Sequence, residues 1–220
     1  MSKVLVVAAH PDDEVLMCGG TIKRLRNEGD EVRTLILGEG AMSRDGAKEE
    51  EIYELRESAI MAGHVLGVDN VTKLSYPDNC FDTVPLLKLI KSIKPFKDDY
   101  GPDTIITHHW DDLNIDHQRT YQAVMTCCRP MNGETVKKIF SGEVLSSTEW
   151  RYPNSFNPNL FYNISKTLSY KVEAFLQYKS ERRAWPHPRS VEAIKMNAHT
   201  WGAKVGVEAV EPFEVARWIV

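Results

Sequence analysis

The stretch Lys3-Val4-Leu5-Val6-Val7-Ala8-Ala9-His10-Pro11-Asp12-Asp13-Glu14 decides how this chain is read. Its first seven residues are almost continuously apolar and rich in valine, as in a strand buried on both faces of a parallel sheet. Its last five carry four titratable side chains directly after that strand. Outward from there, strand and helix patterns alternate. Gly19-Gly20 lead into a short amphipathic helix over Thr21 to Arg26, ending near Gly29. Glu31 to Leu37 reads as a strand and residues 38–48 as a polar loop. Glu49 to Leu66 reads as a helix with Ile52, Leu55, Ala59, Ala62 and Leu66 on one stripe, closed by Gly67. A strand over Val71 to Tyr76 and a helix over Val84 to Ile93 come next, and Pro95 helps to stop that helix. Asp103 to Thr107 is the next strand, and a helix runs from about His117 to Cys128. Beyond Pro130 the pattern predicts strands at 137–146 and 160–164, helices near 166–179 and 190–203, and a short final strand.

Such alternation specifies a doubly wound, mostly parallel, Rossmann-like α/β sheet with ligands at the carboxyl ends of its strands. The 220 residues are expected to form one domain, with 1–130 as the catalytic core. Residues 131–220 complete the sheet and, as a C-terminal extension, wall the active site. A chain of this length buries about 70% of its unfolded surface, so its core needs no disulfide or metal.

Composition removes several classes. A net charge of -4 argues against a nucleic-acid or anionic-lipid partner, though it leaves room for a local basic site. No apolar run approaches the ~20 residues of a membrane span. The N-terminus runs into charged residues without a cleavage site, so no signal peptide is expected. Cys18, Cys80, Cys127 and Cys128 lack zinc-ribbon or CxxC spacing and read as reduced thiols of a cytoplasmic protein. The absence of GxGxxG after the first strand, and of GxxxxGK[ST], leaves a dinucleotide or P-loop function unsupported.

The chemistry concentrates in two clusters. His10 and Asp13 are three apart, so one turn aims both at a single ion, and imidazole with carboxylate suits zinc or another divalent first-row metal. Taken alone, the pentapeptide reads equally well as a solvated acidic turn before a helix. The second cluster tips the balance. His108-His109-Trp110-Asp111-Asp112-Leu113-Asn114-Ile115-Asp116-His117 also follows a parallel strand and holds three of the seven histidines. Three protein ligands and an open position make a catalytic zinc site. His10, Asp13 and one of these histidines supply the ligands and leave Asp12 free as a base.

In both clusters the sequence resembles the PIG-L/LmbE-like zinc-dependent deacetylases. Ala9-His10-Pro11-Asp12-Asp13-Glu14 matches that family's AHPDDE signature, and Asp116-His117 matches the end of its HPDH motif. The resemblance implies that His10, Asp13 and His117 are metal ligands and that Asp12 is the general base. A water activated there would attack an amide carbonyl, and Asp12 would pass the proton to the departing amine. The implied substrate is a small N-acetylated amino sugar or its conjugate, nucleotide- or lipid-linked in some cases. Related proteins often form homo-oligomers. A deformylase or other small-acyl amidase would use the same machinery. A non-catalytic metal- or nucleotide-binding module is the alternative from a different class, because the fold alone does not specify chemistry.

One departure stands out: Asn114 and Ile115 replace the first histidine and the proline of HPDH. In the family that histidine stabilises the oxyanion, supported by the aspartate that Asp116 matches. An asparagine amide donates a hydrogen bond but carries no charge, which leaves Asn114, His109 and zinc as candidates for that work. Arg56 and the segment Tyr76-Pro77-Asp78-Asn79 resemble positions lining the sugar pocket, with Asp78 the candidate contact. The loop Pro186-His187-Pro188-Arg189-Ser190 either presents His187 and Arg189 to an anionic group or is a turn with an exposed arginine. His64 and His199 fall inside helix patterns and read as structural.

Overall fold

The period-two pattern of the first strand sets the layers. In the computed structural model, which describes residues 1–44, 46, 48–68 and 70–220, β1 (Lys3–Ala8) runs through the middle of a seven-stranded sheet. Val4, Val6 and Ala8 face one apolar cluster, while Leu5, Val7 and Ala9 face another. The first cluster is completed by α1 (Asp13–Asn27), α2 (Glu49–Leu66) and α5 (Leu168–Phe175). The second is completed by α3 (Leu86–Tyr100) and α4 (Ile115–Cys127). Each fully buried aliphatic side chain contributes about 1.5–3 kcal/mol, so a strand apolar on both faces is held firmly at the centre.

The other strands are β2 (Glu31–Gly38), β3 (Val71–Tyr76), β4 (Thr104–His108), β5 (Lys138–Gly142), β6 (Leu160–Asn163) and β7 (Val210–Trp218). Their order is β3-β2-β1-β4-β5-β7-β6. The first five pair in parallel, while β7 pairs antiparallel with both β5 and β6. The doubly wound α/β reading therefore holds, and α6 (Val191–Val205) packs beside β7. All four cysteines are free thiols. Among the described residues, no helix is long and apolar enough to cross a membrane.

β5 ends at Gly142 rather than 146 and α5 at Phe175 rather than near 179, and three further elements differ from the sequence reading for nonlocal reasons. The first helix begins at Asp13 rather than Thr21, with a kink at Cys18 (φ -147°, ψ 23°). The kink frees the Gly20 and Thr21 amides, and both donate to the Glu211 carboxylate of β7, at 3.0 and 2.6 Å. Lys171 of α5 neutralises that buried carboxylate at 2.7 Å. Gly19-Gly20 thus serve close packing: a Cβ on Gly20 would lie 2.9 Å from three Ile164 atoms. The third helix continues through Pro95 to Tyr100. Proline inside a helix costs about 3 kcal/mol. The burial of Leu89, Ile93 and Tyr100 on one stripe outweighs that cost, together with the Lys97–Glu134 pair at 2.8 Å. The final strand is nine residues long rather than short, because it is sandwiched between two partners.

Candidate active site

The carboxyl ends of β1 and β4 bring the two clusters together. β1 hands directly to the loop His10-Pro11-Asp12, in which Asp12 adopts a left-handed conformation (φ 98°) unusual for a residue with a side chain. That turn lets the Asp12 carbonyl accept from the Val15 and Leu16 amides at 3.0 and 2.9 Å and so start α1. It also lets Asp13 Oδ2 accept from the His10 amide at 2.7 Å. Gly40 (φ 78°) closes over the loop, and a Cβ there would meet Pro11 Cδ at 2.6 Å. On the other side, Asn114 caps α4 by accepting from the Asp116 amide at 2.8 Å, which places Asp116 and His117 in its first turn.

His10, Asp13 and His117 are all buried, and each offers a donor atom within 4.8 Å of the others. Asp13 Oδ2 lies 3.3 Å from His10 Nδ1 and 3.3 Å from His117 Nε2. Each imidazole has its remaining nitrogen on a carboxylate of its own. His10 Nε2 is 2.9 Å from Asp116 Oδ2, and His117 Nδ1 is 3.2 Å from Asp112 Oδ1. Such outer carboxylates fix tautomer and ring orientation in metal-ligating histidines. Asp116 is itself held by the Phe81 amide at 2.8 Å. Asp112 accepts from the Asn114 amide at 2.8 Å and from the hydroxyls of Ser147 and Thr148.

Charge follows from this packing. Burial opposes charging both imidazoles, yet Asp116 and Asp13 raise His10 to about 9, and Asp13 and Asp112 raise His117 to about 10. Against its own burial, Asp13 is held well below the carboxylate range, chiefly by His117 and His10. The centre is thus strongly cation-attracting, and Asp13 Oδ1 is buried with no hydrogen-bond partner. A buried carboxylate with one oxygen unpartnered and the other 3.3 Å from each of two oriented imidazoles is the donor set of a divalent first-row ion, and these residues fit one. A second set shares His10: Asp78 and Asp116 also offer atoms within 4.8 Å. Asp78 is drawn away from it, however, touching His10 only at 3.4 Å while accepting from Ser43 Oγ at 2.5 Å.

Asp12 stands beside this centre, almost fully buried. Its Oδ2 lies 3.2 Å from Arg189 Nη1 but has no well-aligned hydrogen bond. Burial pushes its carboxyl well above the usual range, and Arg189 partly offsets that. Arg189 is fixed in turn by Glu181 and Ser146 Oγ, both at 2.8 Å. A polar cleft of about 200 Å³ opens onto His10 and Asp12 and is lined by Asp78, Asn114 and Arg189 among others. Asn114 Nδ2 donates to Asn79 Oδ1 at 2.9 Å at the cleft wall.

Other sequence candidates fall elsewhere. His109 is buried away from the cleft, its Nε2 2.9 Å from Ser155 Oγ and its Nδ1 3.1 Å from Glu214. His108, pushed down to about 3 by burial and by His117, accepts from the Ala9 amide at 2.8 Å and stacks on the His117 ring. Arg56 is exposed on α2, lining a separate groove with Ile60 and Lys73. His187 accepts from the Arg189 amide at 3.0 Å and so shapes the arginine's loop without lining the cleft. Asp112 and Glu181 were not singled out from sequence. Asp112 carried a signal, five residues ahead of His117, whereas Glu181 carried none, since its partners are set by the fold.

Known proteins share this geometry's sequence frame. A family model described as "PIG-L: GlcNAc-PI de-N-acetylase" matches residues 5–128, more than half of the chain. The uncharacterized deacetylase YaiS of Escherichia coli is 28% identical over 184 residues, covering 80% of this chain and 90% of that protein. The probable N-acetyl-alpha-D-glucosaminyl L-malate deacetylase 2 of Bacillus cereus is 26% identical over 188 residues, covering 82% and 84%. In fold alone, the crystal structure of GalB, the 4-carboxy-2-hydroxymuconate hydratase of Pseudomonas putida, is also similar. It superposes with a TM-score of 0.79 at 17% identity, covering 100% of this chain and 98% of that one. With both signature clusters meeting at the ends of β1 and β4, this chain belongs to the PIG-L family of de-N-acetylases and is an amide hydrolase.

Proposed function

We propose that this protein removes the acetyl group from an N-acetylated amino sugar or its conjugate, with zinc held by His10, Asp13 and His117. The observation that carries the reading is the convergence of those three donors, each imidazole backed by its own carboxylate, beside the buried Asp12. The ion would supply Lewis acidity and a water of lowered pKa. The chain's own residues do the rest. Asp12, desolvated and steadied by Arg189, accepts the proton of the attacking water and returns it to the amide nitrogen as the C–N bond breaks, giving acetate and free amine. Asn114 lines the cleft with an amide group that donates to Asn79 through one hydrogen, and the other hydrogen is available to the substrate carbonyl. His109, walled off behind Ser155 and Glu214, takes no part in that step.

The substrate class follows the family, whose description names an N-acetylglucosamine lipid, and the B. cereus relative, whose name is that of a glucosaminyl malate deacetylase. The largely polar cleft suits a hydroxylated sugar. Because a hydratase shares the fold, amine release is the decisive assay. Asp12→Asn should retain one equivalent of zinc and lose about 10²–10⁴-fold in kcat for release of amine from N-acetylglucosamine conjugates. Asparagine tolerates the left-handed backbone, so the loop should persist. Full activity in this variant would remove Asp12 from the base role, and no amine release by the zinc-loaded wild-type protein would overturn the function.

A further inference from the structure

Between α5 and α6 the chain runs Lys179-Ser180-Glu181-Arg182-Arg183-Ala184-Trp185-Pro186-His187-Pro188-Arg189, four formal cations to one acid in a protein whose net charge is -4. The one acid is spent internally, because Glu181 is buried and paired with Arg44 and Arg189. Among the described residues, Lys179, Arg182 and Arg183 have no carboxylate within ion-pairing distance. Arg183 is nonetheless ordered, because its Nη1 donates to the carbonyls of Ser180 and Arg182 at 2.6 and 2.9 Å.

These cations line a groove of about 490 Å³ with the half-exposed Trp185 as a flat apolar wall, and Glu192 is the acid on its rim. The groove meets the catalytic cleft directly, since Arg183 and Arg189 line both. The positive field is felt locally: burial, Arg189 and Arg183 together push the His187 imidazole down. Nothing in the proposed hydrolysis requires an unpaired arginine at the edge of the catalytic cleft.

We propose that this groove recognises an anionic group, carboxylate or phosphate, on the part of the substrate that extends beyond the N-acetylated sugar, through Lys179, Arg182 and Arg183. The proposal rests on the amino-sugar deacetylase reading and narrows it to acidic conjugates. Arginine forks bind both oxyanions in bidentate fashion, and the adjoining Trp185 face covers the connecting atoms.

The test compares three substrates on the zinc-loaded protein: a neutral methyl glycoside of N-acetylglucosamine, its carboxymethyl glycoside and N-acetylglucosamine 1-phosphate. The anionic substrates should exceed the neutral one in kcat/KM by about tenfold or more, mostly through KM, with the advantage shrinking as salt is raised. Which of the two anions gains more identifies the source. In an Arg182→Gln/Arg183→Gln double variant the anionic-to-neutral ratio should fall toward one. Equal kcat/KM for all three in the wild type, or a ratio unmoved by the double variant, overturns the proposal. Calorimetric binding of N-acetylglucosamine 1-phosphate separates this from the parent reading. Binding that the double variant abolishes, without turnover of any substrate, keeps the subsite and removes the deacetylase assignment. Equal binding by both proteins removes the subsite.

Discussion

Replacing Asp112 with asparagine tests which of two overlapping donor sets holds the ion. Both sets use His10, one with Asp13 and His117 and the other with Asp78 and Asp116. Asp112 belongs to the first alone, through the 3.2 Å contact of its Oδ1 with His117 Nδ1. Asparagine keeps the size and one acceptor oxygen for the Asn114 amide and the Ser147 hydroxyl, and the Thr148 hydroxyl, now donating to Oδ2, can turn to accept from its amide, so the fold should stand. The substitution removes the negative charge that orients His117 and makes its Nε2 a better donor to a metal. Loss of such an outer carboxylate weakens metal binding about 10–100-fold, or about 1.4–2.7 kcal/mol. Asp78→Asn should leave affinity unchanged within error, because Asp78 meets His10 only at 3.4 Å and is engaged by Ser43. Zinc affinity is read by competition with a chromophoric chelator, and independently by the rise in Tm on adding zinc, which follows RT ln(1 + [L]/Kd). Tenfold weaker binding in Asp78→Asn with none in Asp112→Asn would refute the reasoning and move the ion to the other set.

Two further outcomes probe the scaffold. Gly20→Ala, which on an open helix face would stabilise by about 1 kcal/mol, should instead destabilise by about 1–3 kcal/mol in urea unfolding. Its new Cβ would sit 2.9 Å from Ile164, and an unchanged midpoint would show that the kinked helix has room to spare. Glu143→Gln should stabilise the protein at neutral pH. Burial raises the Glu143 carboxyl above 4.5 although Asn197 and Trp201 donate to it, so the folded state holds this proton more tightly than the unfolded state. The cost of ionising it therefore grows as pH climbs from 4.5, and the Tm gain of the glutamine variant should widen with rising pH until the folded-state carboxyl has ionised. A gain independent of pH would mean that packing, not charge, produces it.

How much of the fold and site was legible in the residues depended on distance along the chain. The signature from His10 to Glu14 is local in the chain, so residue type and spacing marked His10, Asp12 and Asp13 as candidates, and the second cluster decided between a metal site and an acidic turn. The N-cap of α4 is equally local, with Asn114 two residues before Asp116, yet the sequence reading started that helix two residues late, near His117. Arg56 misled because helical spacing reports which face a residue shares, not where that face lies relative to a pocket. His109 misled for a related reason. His108 is the last residue of β4 and stacks on His117, while His109, the first residue past the strand, turns to Ser155 and Glu214.

Local sequence therefore settled the opening strand and the acidic turn behind it. Seven apolar residues demand burial on both faces, and the histidine and acids after them have to emerge at the strand's carboxyl end. The effect those groups have on one another came from packing across the whole chain. Contacts between His10 and Asp116, Asp12 and Arg189, and Gly20 and Glu211 span about a hundred residues or more. Water is excluded there only once the sheet and its helices close. In that dry setting the partner that packing supplies sets each carboxylate's proton affinity: Asp12, beside a single arginine, is pushed up by burial, and Asp13, beside two imidazoles, is held down.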